Sequence, residues 1–352
     1  MKSRIIQLKY RKAIARKSVF IFLLLIVGVI LGITGLGIGP IKYSLGDIVG
    51  VLINSFFNTG FEVEPTAQMV IFNIRLPRII LALLCGFGLA ITGMQMQIIL
   101  RNPLASPFTL GVSSGAAFGA GLAIISGISI TGGKYMLIGN AFVFSLLPCF
   151  VVFLLSRLSN CGYGMLILAG IAMNFIFSSL STLLSYFSNS EDLKSLSLWT
   201  MGNLGRASWD DIVPLSIILL ITVPLLFMQN QKLNVLNAGD ESAKGLGVNV
   251  ERTRIVVLVL TSLVSASIIC FTGMIGFVGL VSPHIVRLLI GNDARYLMPA
   301  SGLFGAVFLL GSDVLALKII EPAVLPTGII TSFTGCPILL YLIIKKQKDR
   351  AW

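Results

Sequence analysis

Ten apolar stretches follow one another along this chain, at residues 18–36, 79–99, 107–129, 136–156, 164–187, 212–229, 255–273, 275–290, 296–316 and 327–344. A bilayer's hydrocarbon core takes roughly 20 apolar residues per helical crossing. Lipid also leaves helices and closed barrels as the only ways to satisfy the backbone. Only 11% of the residues are charged and 56% are hydrophobic, whereas a soluble domain is about one quarter charged. A water-soluble fold is therefore excluded, and the expectation is an all-α polytopic membrane protein of about ten transmembrane helices. One membrane domain spans 1–352, with no room for a large soluble one.

The net charge of +12 invites a nucleic-acid reading. Lys and Arg, however, cluster at the ends of apolar runs instead of forming one stripe, which argues for topology. The first 17 residues hold seven basic and no acidic side chains. The apolar run behind them is too long for a signal peptide and has no small-x-small cleavage site. It reads as a first transmembrane helix with its amino terminus in the cytoplasm.

Alternating from there leaves Lys42, Arg75, Arg78, Lys134, Lys194, Arg206 and Lys318 outside and the other 19 of the 26 basic residues inside. That bias predicts an even number of spans with both ends cytoplasmic, 1–17 and 345–352 being the tails. Asp47, Glu62, Glu64, Glu191, Asp192, Asp210, Asp211, Asp313 and Glu321 then fall outside.

Arg78-Ile79-Ile80, Thr92-Gly93-Met94 and Phe118-Gly119-Ala120 return in the same order as Arg254-Ile255-Val256, Thr272-Gly273-Met274 and Phe304-Gly305-Ala306. The copies start at the second and seventh spans, five crossings apart. An odd offset inverts the second copy, so helices 2–5 and 7–10 are expected as an inverted repeat, a design common in transporters.

Arg75-Leu76-Pro77-Arg78 stands before the second span. Proline suits a first helical turn, and two readings of the arginines stand: helix capping with headgroup contact, or exposed forks that grip carboxylates on a docking partner. The run Gly111-Val112-Ser113-Ser114-Gly115-Ala116-Ala117 allows close helix packing, with Ser113 or Ser114 as candidate cavity-lining groups. Residues 230–254 form the longest inferred cytoplasmic loop. Within it, acids precede and glycines follow a short segment, as a helix's dipole and caps favour. That helix is expected to present Ala243 and Leu246 to a cytoplasmic partner.

His284 is the sole histidine and reads as a packed residue, with no metal site expected. Cys85, Cys149, Cys270 and Cys336 lie in apolar runs with no Cys-x-x-Cys pair, so packed thiols are expected. No phosphate-binding loop is present, since Gly132-Gly133-Lys134-Tyr135 lacks its spacing and hydroxyl. Asp313 is the only acid near a span, which gives ion coupling little footing.

Several ordered blocks make the chain similar to the FecCD-type permeases of bacterial importers for ferric siderophores, haem and vitamin B12. They are RLPR (75–78), TGMQMQ (92–97), RNPLASPFTLGVSSGA (101–116), LAGIAMN (168–174), LWTMGNLGRASWDD (198–211), GDESAKGLGV (239–248), GMIGFVGLVSPHIVRLLIG (273–291) and LPTGIITSFTGCPILLYL (325–342). The resemblance implies the type II ABC importer permease fold, in a non-catalytic subunit of the bacterial cytoplasmic membrane. Its implied partners are a second permease of the same type, two cytoplasmic ATPase subunits that hold ATP and Mg, and an extracytoplasmic binding protein. The implied cargo is a ferric siderophore, with vitamin B12 or haem as the alternative and an ion-coupled carrier as the rival from another class.

By the same resemblance Arg75 and Arg78 would dock binding-protein glutamates. Gly239, Glu241, Ala243, Leu246 and Gly247 would form the coupling helix on the ATPase. Two departures stand out. The position four after Asp313, often arginine in the family, is Leu317, leaving Lys318 as the third docking charge. The segment that closes the cytoplasmic exit is here Tyr163-Gly164 instead of small hydroxyl residues.

Overall fold

The computed structural model describes residues 2–39, 41, 43–57, 64–158 and 163–348. Lys42, Glu62 and Arg350, assigned sides above, lie outside them. All regular structure among the described residues is helical. The ten expected spans correspond to α1 (Lys2–Gly37), α4 (Leu76–Ile99), α5 (Val112–Ser126), α6 (Met136–Leu158), α7 (Tyr163–Tyr186), α9 (Trp209–Met228), α12 (Val250–Thr272), α13 (Val278–Ile290), α14 (Ala294–Lys318) and α15 (Thr327–Lys348). Between them lie α2 (Leu45–Phe57), α3 (Pro65–Val70), α8 (Ser190–Thr200), α10 (Asn230–Leu236) and α11 (Asp240–Gly245), which the apolar runs did not announce.

The direction of each crossing follows from what its termini touch. At one end, hereafter the basic end, Arg16 of α1 donates to Leu289 O at 3.0 Å and Lys17 stands 4.7 Å from the Tyr296 ring centre. Asn234 of α10 donates to Asp293 at 2.9 Å ahead of α14. Arg101 after α4 and Arg254 at the start of α12 share Asp240. At the opposite end Arg78 of α4 meets Asp313 of α14, and Trp209 of α9 donates to Phe72 O at 3.1 Å. Helix α4 therefore runs toward the basic end and α12 away from it. The two copies of the repeat have opposite sense, and their first helices pack side by side with α14 against both α4 and α13.

In lipid there is no hydrophobic drive between helices, so close packing of small residues takes its place. A Cβ on Gly86 would lie 2.3 Å from Gly305 O, and one on Gly93 would lie 1.9 Å from Gly279 O. Gly115 and Gly119 face the Phe144 and Asn140 carbonyls equally tightly, so the small-residue run of α5 seats it on α6. Ser114 instead ties α5 to α7, donating to Gly111 O and to Asn174 Oδ1 of α7 at 3.0 and 2.9 Å.

Helix α3, a five-residue π-helical turn (Ile71–Arg75) and α4 form one continuous rod of 35 residues. At 1.5 Å per residue it is about 50 Å long against a core of about 30 Å, so its first part rises beyond the bilayer beside α2. Helices α5 and α13 are the reverse case, with 15 and 13 residues, too short to cross alone. They occupy second place in the two repeats.

Candidate functional site

The expected span at 107–129 begins late because Pro107–Leu110 is a 3-10 turn and Gly111, at φ 93°, turns left-handed before α5. The span expected from 275 begins at Val278 because Phe277, at φ 66°, occupies the same left-handed region. A bulky residue there is strained and persists only where its surroundings hold it. Gly335 of α15 leaves the room, since a Cβ on it would come within 2.6 Å of the Phe277 Cβ. Paired interruptions at matching places of an inverted repeat are where transporters bind their cargo.

Both interruptions open onto one cavity of about 720 Å³, walled by Phe108, Met201, Met274, Gly276, Phe333 and Cys336 among others. Its wall is almost wholly apolar and carries no acid or base apart from the Cys336 thiol. One rim is Gly202, whose backbone lies against Met274 and whose carbonyl accepts from Gly328 N at 3.1 Å. The cavity can admit a bulky apolar-faced solute and offers nothing that would grip a small hydrated ion.

At the end opposite the basic one, the arginines of RLPR are not the exposed forks expected above. Arg75 and Arg78 are 8% and 9% exposed. The π-helical turn swings Arg75 inward, where it donates to Leu36 O at 2.6 Å and to Ile41 O, and lies 5.0 Å from the Tyr43 ring centre. Arg78 forms a two-pronged ion pair with Asp313, at 2.7 and 2.9 Å. A charge beneath the membrane surface must be paired to be tolerated, and sequence gave no sign of a partner 235 positions away. Lys318 closes α14 and is exposed, as is Arg206.

At the basic end the loop 230–254 folds as two short helices, not one. Gly239, at φ 124°, makes the break that lets α11 start. Glu241 and Gly247 are exposed, and Leu246 is 72% exposed. Ala243 was expected to face a partner but is fully buried: with Asp240 held by Arg101 at 2.9 Å and Arg254 at 3.0 Å, the single turn is oriented with that face inward. Asp293, between α13 and α14, is pushed up by partial burial. The hydrogen bonds from Asn234 and Arg295, with the Arg295 charge, outweigh that and hold it below the usual carboxylate value. Tyr163 and Gly164 open α7. His284 is buried on α13.

This is the architecture of a polytopic membrane permease: an inverted repeat, two short helices entered through left-handed turns beside an apolar cavity, and a polar helical loop at one end. The chain belongs to the FecCD transport family, whose profile matches residues 23–345. It is 42% identical over 349 residues to a protein of Methanocaldococcus jannaschii provisionally assigned as an ABC transporter permease, covering 97% of this chain and 98% of that one. It is 41% identical over 281 residues to a hemin transport system permease protein of Yersinia pestis, covering 79% and 84%. A solved inward-facing structure of a transporter provisionally typed as metal-chelate ABC superposes with a TM-score of 0.81 at 34% identity, covering 92% of this chain and 98% of that one. The chain is accordingly the non-catalytic membrane subunit of an ABC importer.

Proposed function

We propose that this subunit carries a ferric siderophore inward across the bacterial cytoplasmic membrane by alternating access, with the basic end in the cytoplasm. A second FecCD-type permease, identical or different, completes the path. Two ATPase subunits drive the pair, one of them seated on α11 of this chain through Gly239, Glu241, Leu246 and Gly247, while Ala243 packs that helix onto the body. The loaded binding protein docks at the opposite end, where Lys318 is offered directly and Arg75 and Arg78 hold the surface from beneath. Tyr163 and Gly164 belong to the segment that closes the cytoplasmic exit.

The observation that carries this reading is the apolar cavity at the entries to α5 and α13. A chelate hides its metal's charge behind an organic shell and can pass an apolar wall that would reject the bare ion. The same wall, with Phe108 and Phe333 in it, favours haem as the second reading, in keeping with the Yersinia relative.

The test is uptake by vesicles that contain this chain with its partner permease, ATPases and binding protein, offered a ferric siderophore or haem. ATP-dependent accumulation of the siderophore is expected, and accumulation of haem alone would replace the cargo. Leu246→Asp should leave ATP hydrolysis intact and abolish uptake. Uptake without ATP, or by this chain alone, would refute the reading as a whole.

A further inference from the structure

A second cavity, of about 380 Å³, opens at the basic end between the close of α4, the turn behind it, the α10–α11 link and the close of α13. Its ionisable lining consists of Arg101 and Arg287, with no carboxylate. Gln97, Asn237 and Asn292 add amide groups, and Gly239 brings backbone without a side chain. Arg287 donates to Gln97 Oε1 at 3.1 Å, yet its Nε is buried and meets no acceptor among the described residues. A buried guanidinium donor without an acceptor is costly to hold unless something supplies one.

The nearby carboxylates of Asp240 and Asp293 are already engaged. Asp240 is shared, Oδ1 accepting from Arg101 and Oδ2 from Arg254. Asp293 is turned to Asn234 and Arg295. The lining itself thus holds two guanidiniums and no carboxylate. Guanidinium forks match the oxygens of a phosphate in geometry and charge. The cavity also sits where the apolar helix surface ends: Leu288 and Leu289 beside Arg287, and Leu104 beside Pro103, are exposed. Basic pockets at that level, between helices, are suited to lipid headgroups.

We propose that this cavity binds the phosphate of an anionic phospholipid headgroup. Bound there, the phosphate ties the ends of α4 and α13 to the link that precedes α11, so anionic lipid sets how firmly that helix is held. The site is apart from the apolar cavity and does not depend on the cargo, but it shares Gly239 with the ATPase seat proposed above.

The test is native mass spectrometry of the full chain exchanged into detergent with phosphatidylglycerol or phosphatidylcholine. Retention of phosphatidylglycerol over phosphatidylcholine is expected. Arg287→Gln should weaken it roughly tenfold, the effect of losing one charge-assisted partner, while Lys194→Gln, at the opposite end, should leave it unchanged. Arg287→Lys, which keeps the charge, should retain most of it, and this variant decides if Arg287→Gln does not fold. Equal retention of the two lipids, or undiminished retention in Arg101→Gln/Arg287→Gln, would overturn the proposal. So would binding of inorganic phosphate that phosphatidylglycerol cannot displace, since the source is then a soluble anion. Expulsion of the lipid when the ATPase binds would overturn it too, by assigning the cavity to a carboxylate of that partner.

Discussion

Arg78 and Asp313 close a two-pronged ion pair across the bundle, Nε to Oδ2 at 2.7 Å and Nη2 to Oδ1 at 2.9 Å, and Thr327 donates to the same Oδ1 at 2.6 Å. Three helices, α4, α14 and α15, are thereby pinned where two repeats meet. Asp313 is 2% exposed, so the carboxylate has no water to fall back on. Removing one partner of such a pair strands the other charge, at about 3–5 kcal/mol, whereas removing both is much milder. Arg78→Ala should therefore lower thermal stability in detergent more than the double replacement Arg78→Leu/Asp313→Leu. Equal losses in the single and double variants would show that the pair does not hold the joint.

This pair also marks where sequence stopped being legible. Apolar length located the seven helices long enough to cross and the shorter α5, α13 and α15, because length is a local property that lipid enforces. The order of three tripeptides was enough for the inversion, which Arg101 and Arg254 then meet through Asp240. Charge was misread as exposure at Arg75 and Arg78, since their partners at Leu36, Ile41 and Asp313 lie far away in sequence. The late starts of α5 and α13 were hidden inside apolar runs, for nothing in composition signals that Phe277 turns left-handed. Helices α2, α3, α8 and α10 lie beyond the crossings and are shorter than the runs that announce a span. Ala243 was misplaced because a one-turn helix has too few residues to show a face.

Gly93 of α4 and Gly279 of α13 touch backbone to backbone, and a Cβ on Gly93 would fall 1.9 Å from the Gly279 carbonyl oxygen. No side chain can give way there, so Gly93→Ala must push two helices of opposite repeats apart. A loss of about 2–3 kcal/mol, or failure to reach the folded state, is expected from overpacking of this kind. Gly276→Ala is the matched control: a Cβ there meets nothing within 4 Å, and its cost should stay within about 0.5 kcal/mol. Comparable melting temperatures for the two variants would contradict the close approach.

Cys336 is exposed on the cavity wall, while Cys85, Cys149 and Cys270 are buried between helices. A thiol reacts as its thiolate and only where reagent and water reach it. With Cys161 replaced by Ser, a water-soluble maleimide should modify the folded chain once, at Cys336, and reach the other three only after denaturation. Mass spectrometry of the digested adduct reads this directly. Because the cavity opens on the chain's surface, the assembled permease pair gives a sharper readout. A route for cargo must stay wetted there, so Cys336 should remain reactive in the assembled importer and become protected when chelate and binding protein are added. Cargo-independent protection in the assembly would mean that the apolar wall is covered by the partner permease, and the transport path would then have to run elsewhere.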